Sequence, residues 1–158
     1  MATDTSPNSE IAEFAGQLLF RLWRASHTRT AEAFESLGLT PALFALLNVL
    51  GAREGAMQQE IGVEMGIDRS TMVVLIDELE AKHLAKRRPH PADRRAREVA
   101  ITAKGRQVLQ RARNIALQVE GEVLRGLTIN ERNELVALLR RALSSAPPQS
   151  PWRAEEGD

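Results

Sequence analysis

Basic side chains are concentrated in one stretch of this sequence, between Lys82 and Arg97. The stretch contains seven lysine or arginine residues and a single acid, so it carries a net charge of +6 in a chain whose total formal charge is zero. Clustered guanidinium and ammonium groups favour a polyanionic partner, because they can replace the counterions of phosphate groups. An isolated charge run is more often only a solvated loop, so the neighbouring segments decide between these interpretations.

The segment before the basic stretch has the spacing of two closely crossing helices. Gly62 allows a close crossing, Gly66 suits a tight turn with positive φ, and Met72 can lock the second helix from below. In a helix-turn-helix the second helix enters the DNA major groove, where hydroxyl, guanidinium and apolar groups can contact bases and phosphates. The predicted contacts from this helix are Arg69, Ser70, Thr71 and Val74. An ordinary helical hairpin is the alternative.

Two short strands are predicted after this helix, at Leu84–Arg88 and Arg97–Ile101, with a proline-rich turn between them. Such a basic hairpin can reach the DNA backbone or a narrow, A·T-rich minor groove. The predicted contacts from the hairpin are Arg88, Arg94 and Arg95. Asp93 is predicted to stiffen the hairpin through a carboxylate–guanidinium pair. The alternative for each arginine is plain surface charge.

The composition is typical of one domain with helical extensions. The chain has 158 residues, of which 43% are hydrophobic and 27% are charged, and it has no cysteine, which excludes disulfides and thiol chemistry. No apolar run approaches the roughly 18 residues needed to span a bilayer, and the N-terminus lacks a signal pattern. We therefore expect a cytoplasmic protein without a membrane segment.

Residues suited to catalysis or metal binding are not grouped in this sequence. His27, His83 and His90 fall on different predicted elements, and no histidine pair with an adjacent acid occurs. There is also no glycine-rich phosphate loop, nucleophile elbow or obvious carboxylate pair. We predict no metal site and no cofactor, and we do not expect an enzyme.

Capping residues mark most of the predicted helix starts. Thr40 with Pro41, Asp68 and Thr102 suit N-caps, and Thr128–Glu131 has the pattern of a capping box. A long helix from about Ser9 to Ser36 has an apolar stripe wide enough for burial on two sides. The predicted fold class is therefore mainly α with a small β-hairpin wing.

These segments resemble the MarR family of bacterial transcription regulators, over residues 11–145. The hairpin carries the most specific match, a D-x-R pattern, an alternating strand and then T-x-x-G. The matching residues are Asp93, Arg95, Val99, Ile101, Thr102 and Gly105. The segments GIDRSTMVVLIDELE and LGLTPALFALLNVL resemble the recognition helix and second helix of the family. The absence of cysteine excludes its thiol-based peroxide-sensing branch.

The chain departs from this family at two positions. His83 stands after the recognition helix, where the family often has glycine, and a left-handed backbone at a non-glycine residue costs about 1 kcal/mol. Gly62 replaces a more usual alanine, which weakens its helix slightly. We expect the fold to tolerate both changes.

The resemblance implies a winged helix-turn-helix domain at residues 37–102, binding double-stranded DNA, with dimerisation helices at 9–36 and 103–145. Residues 1–8 and 146–158 are predicted to be a disordered N-terminus and a flexible tail that includes Trp152. The implied assembly is a homodimer whose recognition helices bind a pseudo-palindrome about 10 bp apart. The family implies repression, often relieved by a small ligand.

The family also implies a ligand site between the dimer helices and the winged domain. The candidate residues are Trp23, Arg24, His27 and Phe44, a set suited to a phenolic or aromatic carboxylate. Trp23 and His27 are four residues apart and therefore share a helix face. The alternative is that both aromatic residues are core and that His27 is an ordinary helix histidine.

A protein-interaction module on the same fold, with little or no DNA binding, is the competing hypothesis. The acidic remainder of the chain and Asp77 on the recognition helix favour this hypothesis, because a carboxylate repels phosphate unless it faces an arginine. The intact hairpin arginines argue against it.

Overall fold

A computed structural model of the protein describes residues 14–53, 55–89 and 97–145. Within these ranges the chain forms six α-helices and three β-strands. They are α1 (Ala15–Phe34), α2 (Pro41–Gly51), β1 (Ala56–Met57), α3 (Gln58–Met65), α4 (Arg69–Ala81), β2 (Ala85–Pro89), β3 (Arg97–Ile101), α5 (Ala103–Val123) and α6 (Ile129–Ser145). The predicted disordered N-terminus and C-terminal tail lie outside the described residues, as does the predicted helix start near Ser9.

The predicted helix caps are present. Thr40 Oγ1 accepts a hydrogen bond from the Leu43 backbone N–H at 3.2 Å, and Pro41 occupies the first helical position. The backbone N–H of Thr128 donates to Glu131 Oε2 at 2.7 Å, and Glu131 N–H donates back to Thr128 Oγ1 at 3.4 Å. These bonds from Thr128 lower the pKa of Glu131 below its ordinary value. Sequence patterns thus locate the helix starts because caps are local interactions.

The sheet is larger than the predicted hairpin. The strand order is β1-β3-β2, all antiparallel, with Ala56 opposite Val99 and Met57 opposite Glu98. β3 has the predicted bounds, whereas β2 begins and ends one residue later than predicted. β1 was not predicted, because a strand of two residues has no alternating pattern that a sequence can show. Its pairing joins the loop before α3 to the hairpin.

The core lies between α2, α3, α4 and the sheet, and α1 and α5 each contribute one end to it. Its fully buried large side chains are Phe34, Leu43, Leu46, Leu47, Leu50, Ile61, Met72, Ile76, Leu79 and Val99. Leu109 and Ala112 extend this cluster into the first half of α5. The core therefore fixes α3, α4 and the sheet relative to one another.

No single helix within the described residues is long and apolar enough to cross a membrane. One pair, Ala15–Leu37 with Pro41–Gly51, meets the length and composition test only when its two helices are taken together, and it is bent by 75°.

Candidate nucleic-acid interface

The turn between α3 and α4 has the predicted helix-turn-helix geometry. Gly66 has a φ of +63°, and the Ile67 N–H donates to the Gly62 carbonyl at 2.9 Å. A Cβ on Gly62 would lie 3.2 Å from the Ile67 carbonyl oxygen, which is tighter than usual van der Waals contact. Met72, on the buried side of α4, is only 1% exposed and belongs to the core. The predicted roles of the two glycines and the methionine are confirmed.

Asp68 caps α4 and organises its first turn. Its Oδ1 accepts hydrogen bonds from the backbone N–H groups of Ser70 at 2.9 Å and Thr71 at 3.0 Å. The hydroxyl groups of Ser70 and Thr71 also donate to this carboxylate, the latter at 2.6 Å. Bonds from the two hydroxyls, followed by the backbone bonds, lower the pKa of Asp68 far below its ordinary value.

The side chains predicted to contact DNA from α4 lie on its exposed side. Arg69, Ser70 and Thr71 are exposed, and Val74 is 62% exposed although it is apolar. Val74 lies one turn after Ser70 and Thr71 on the same helix face. These four residues therefore form a continuous accessible surface of mixed chemistry, and their contact with DNA stays a prediction.

Arg87 ties β2 to α4. Its guanidinium donates to Asp77 Oδ1 at 2.6 Å and also to Glu80, and its backbone N–H donates to Glu80 Oε1 at 2.6 Å. Asp77 therefore faces an arginine of its own chain. Its negative charge is compensated by that arginine and is compatible with a nearby phosphate group. Asp77 therefore no longer favours the hypothesis of a protein-interaction module over DNA binding.

Glu98 is the one buried charged residue within the described ranges, with 5% exposure. Its Oε1 accepts a hydrogen bond from Arg88 Nε across the β2–β3 pair. On the other side, a Cβ on Gly55 would lie 2.7 Å from Oε2, so the Gly55 backbone packs directly against this carboxylate. The Glu98 carboxylate thus sits between β2 and the segment that leads into α3.

Sequence reasoning did not single out Glu98. A glutamate opposite Arg88, next to the apolar Val99 and Ala100, is the signal that could have found it. Arg88 itself, a predicted DNA contact, keeps 43% of its side chain exposed while bonded to Glu98. The prediction for Arg88 is therefore compatible with this pair.

The basic stretch is partly neutralised inside the protein. Lys82 pairs with Glu78 at 3.6 Å, and Arg87 and Arg88 are bonded to carboxylates. Lys86 is exposed and lines, with Arg88 and Arg106, a basic pocket of about 430 Å³ at the base of the hairpin. The other predicted hairpin residues, Asp93, Arg94 and Arg95, lie outside the described residues.

The helix that follows the hairpin is held against the end of α4. Thr102 Oγ1 donates to the His83 carbonyl at 2.8 Å and accepts from the Gly105 N–H at 2.9 Å. A Cβ on Gly105 would lie 2.0 Å from the Leu84 carbonyl oxygen, so this position requires glycine. The T-x-x-G pattern therefore has a direct physical cause: the threonine caps α5 and the glycine permits its close approach to the chain before β2.

Comparison with known proteins identifies the family. A MarR family model matches residues 37–96. A Thauera aromatica protein whose name assigns it to regulation of the hcr operon is 33% identical over 145 residues, which cover 85% of this chain and 86% of that protein. The solved structure of the transcriptional repressor CouR, bound to a 23-mer DNA duplex, is 32% identical with a TM-score of 0.77, and it covers 85% of this chain and 96% of that one. The chain belongs to the MarR family.

A further solved structure is that of BpsR from Bordetella bronchiseptica, whose DNA binding is regulated by 6-hydroxynicotinic acid. It is 28% identical with a TM-score of 0.75, and the match covers 87% of this chain and 97% of BpsR. This chain is therefore a transcription regulator with a DNA-binding winged helix fold, and the resemblance stated from the sequence is confirmed.

The departure from the family at His83 has the expected form in this regulator. His83 has a φ of +60° and is the sole non-glycine residue with positive φ within the described ranges. The left-handed turn that glycine would normally supply is thus retained, and the chain still enters β2 in pairing register with β3.

The residues predicted to bind a ligand lie in three places, and the groove that Arg24 lines includes none of the other three. The rings of Trp23 and His27 are 4.9 Å apart on α1, whereas Phe44 packs edge-on against Phe34 at 4.9 Å. Arg24 lines a groove of about 1690 Å³ between α1 and α5. Trp23 is 53% exposed, so it does not belong to the core of this protomer.

Proposed function

We propose that this regulator is a homodimeric repressor that binds a pseudo-palindromic operator in double-stranded DNA. The proposed contacts are Arg69, Ser70, Thr71 and Val74 from α4 with Arg88, Arg94 and Arg95 from the hairpin, and Asp93 is proposed to stiffen the hairpin tip. The single observation that carries the proposal is the exposed polar turn of α4, which Arg87 ties to the basic hairpin beside it. CouR, a repressor solved on DNA, supports the same function.

Dimerisation through residues 9–36 and 103–145 is supported by apolar surface that one protomer leaves exposed. α6 has no buried residue, although it carries Leu138 at 46% and Leu143 at 72% exposure. On α1, Phe20 is 58% exposed beside Trp23. Large apolar side chains left exposed on the terminal helices are what an interaction site would cover. We propose that two protomers cover these faces for each other.

The dimer proposal is tested by sedimentation velocity on two matched variants. Leu138→Glu places a charge in the proposed interface and is expected to shift the protein toward monomer. Val63→Glu changes an even more exposed apolar residue on α3 and is expected to leave the dimer intact. If both variants sediment like the wild type, α6 is not part of the dimer interface.

Release from DNA by a small aromatic carboxylate is the proposed regulation. Trp23 and His27 supply a pair of tilted rings 4.9 Å apart on α1, and Arg24 and Arg21 of the same helix line the groove between α1 and α5. BpsR, which responds to 6-hydroxynicotinic acid, supports this ligand class. The proposal is tested by titrating that compound, and other aromatic acids, into a Trp152→Phe variant while following Trp23 fluorescence and DNA binding together.

We further propose that the protein acts in the cytoplasm without an enzymatic activity of its own. The family membership supports both statements, because its members act as transcription regulators.

The DNA-binding proposal is tested by fluorescence anisotropy with DNA from upstream of the gene and a scrambled control, at two salt concentrations. Tight, salt-sensitive binding to the native DNA alone is expected. Arg95→Ala is expected to reduce the slope of log K against log salt by about 1. Arg153→Ala, in the predicted C-terminal tail and outside the proposed DNA contacts and dimer helices, serves as the charge-matched control. Binding to neither DNA would favour the protein-interaction module instead.

A further inference from the structure

The two hydroxyl groups in the first turn of α4 can act toward a ligand only as hydrogen-bond acceptors. The Ser70 hydroxyl donates to Asp68 Oδ1, and the Thr71 hydroxyl donates to Asp68 Oδ2 at 2.6 Å. An ionised carboxylate can only accept, so both hydroxyl protons point toward Asp68. The lowered pKa of Asp68 keeps the carboxylate ionised at neutral pH. Ser70 and Thr71 therefore offer lone pairs, but no proton, to a ligand that approaches the helix.

Lone pairs on these two residues select among the groups in a major groove. Adenine N6 and cytosine N4 carry amino groups that donate, whereas N7, guanine O6 and thymine O4 accept, as do phosphate oxygens. A base with an amino group can bond to Ser70 or Thr71 without disturbing the cap. An accepting group would require a hydroxyl to give up its bond to Asp68.

Val74 adds an apolar contact on the same face of α4. It lies four residues after Ser70 and three after Thr71, and it is 62% exposed. The apolar group on the major-groove edge of the bases is the C5 methyl of thymine. Adenine pairs with thymine, so one kind of base pair supplies both an amino donor and a methyl group. A cytosine pair supplies the amino donor without the methyl.

We infer that α4 recognises A·T base pairs, through an adenine amino group at Ser70 or Thr71 and a thymine methyl group at Val74. The inference rests on the proposed function, because it requires α4 to lie in the major groove. Arg69, at the first helical position, only donates, so it pairs with an accepting group such as a phosphate oxygen or guanine, outside this contact.

The first experiment identifies the base pairs. Full-length protein selects binding duplexes from a random library, and affinities are then measured for duplexes with single-atom-group changes. Replacing thymine by uracil removes the methyl group alone. Each half-site should contain one position where this single replacement weakens binding about fourfold, the value for one buried methyl group. Replacing adenine by purine, which lacks the 6-amino group, should weaken binding at a position in the same pair or the neighbouring pair.

Two valine variants assign the methyl contact to a residue. In Val74→Ala the uracil replacement should no longer change affinity, because the contact is already lost. In Val63→Ala, which truncates the exposed valine on α3, the uracil effect should remain as in the wild type. Persistence of the uracil effect in Val74→Ala would overturn the assignment.

Asp68→Asn tests the direction of the hydroxyl protons. Asparagine is an equally good N-cap, but its amide nitrogen donates, so a hydroxyl can turn its proton toward DNA. The ratio of affinities for the adenine duplex and a guanine-substituted duplex should fall several-fold. Removing one negative charge affects both duplexes alike, so the ratio isolates the change in hydrogen bonding. An unchanged ratio would contradict the inference.

The outcomes separate this inference from the proposed function. If the wild type selects no sequence, the proposed operator binding is wrong and the inference falls with it. If the wild type selects a sequence whose base pairs under α4 are all G·C, or include no thymine sensitive to uracil replacement, the inference is wrong. Operator binding then still stands.

Discussion

The guanidinium of Arg87 lies 2.6 Å from the carboxylate of Asp77, so a salt bridge joins β2 to the helix predicted to enter the major groove. Glu80 strengthens this link by accepting both the Arg87 backbone N–H and its guanidinium. The core contacts α4 and the hairpin at their buried faces, and this salt bridge joins the same two elements outside the core. Arg87 therefore adds a polar link between α4 and the hairpin to the packing that the core provides.

Arg87→Met is expected to weaken both folding and DNA binding. Loss of the charged hydrogen bonds should lower the free energy of unfolding by about 2 kcal/mol. DNA affinity should fall on the order of tenfold, or about 1.4 kcal/mol, because Asp77 then presents an unpaired charge near DNA. Urea unfolding and anisotropy titration measure the two effects. Adding Asp77→Asn should restore part of the affinity but not the stability; no recovery of affinity would contradict this explanation.

Gly55→Ala is expected to destabilise the protein by about 1–3 kcal/mol, the usual range for overpacking. The added Cβ would lie 2.7 Å from a Glu98 carboxylate oxygen, and Glu98 is buried and bonded to Arg88. In a Glu98→Ala background the same substitution meets no carboxylate and should cost little. A double-mutant cycle by urea unfolding measures this coupling, and additive effects would show that Gly55 does not pack against Glu98.

Two glycines of the helices offer a matched comparison. Gly105→Ala should destabilise the protein by at least about 3 kcal/mol, because its Cβ would lie 2.0 Å from the Leu84 carbonyl oxygen. Gly16→Ala, with no atom within 4 Å of the added Cβ, should instead stabilise α1 by up to about 1 kcal/mol. Thermal unfolding followed by circular dichroism compares the two. Similar melting temperatures for both variants would be inconsistent with the close approach of α5.

His83→Gly is expected to stabilise the protein by about 0.5–1 kcal/mol. Glycine removes the cost of a left-handed backbone at φ +60°, and this gain exceeds its larger entropy in the unfolded chain. His83→Ala retains the backbone strain and should give no such gain, which makes it the control. Equal unfolding free energies for the glycine and alanine variants would show that the turn is not strained.

Local interactions were predictable from the sequence, whereas contacts between distant elements were not. The Asp68 and Thr102 caps, the turn at Gly66 and the left-handed residue at His83 each depend on neighbours within a few positions. The bond between Arg87 and Asp77 depends on how β2 lies against α4, which ten residues of sequence separation do not specify. The buried Glu98 was missed for the same reason, and β1 was missed because a two-residue strand shows no alternating pattern.

The order of strands also bears on solubility. β3 is central, so β2 forms an edge of the sheet, and edges with unpaired backbone groups are prone to join other chains. β2 consists of Lys86, Arg87 and Arg88 between Ala85 and Pro89. Repulsion between like charges, together with a proline that cannot donate, discourages strand-to-strand association of two molecules. The cations that favour a nucleic acid thus also discourage aggregation through this edge of the sheet.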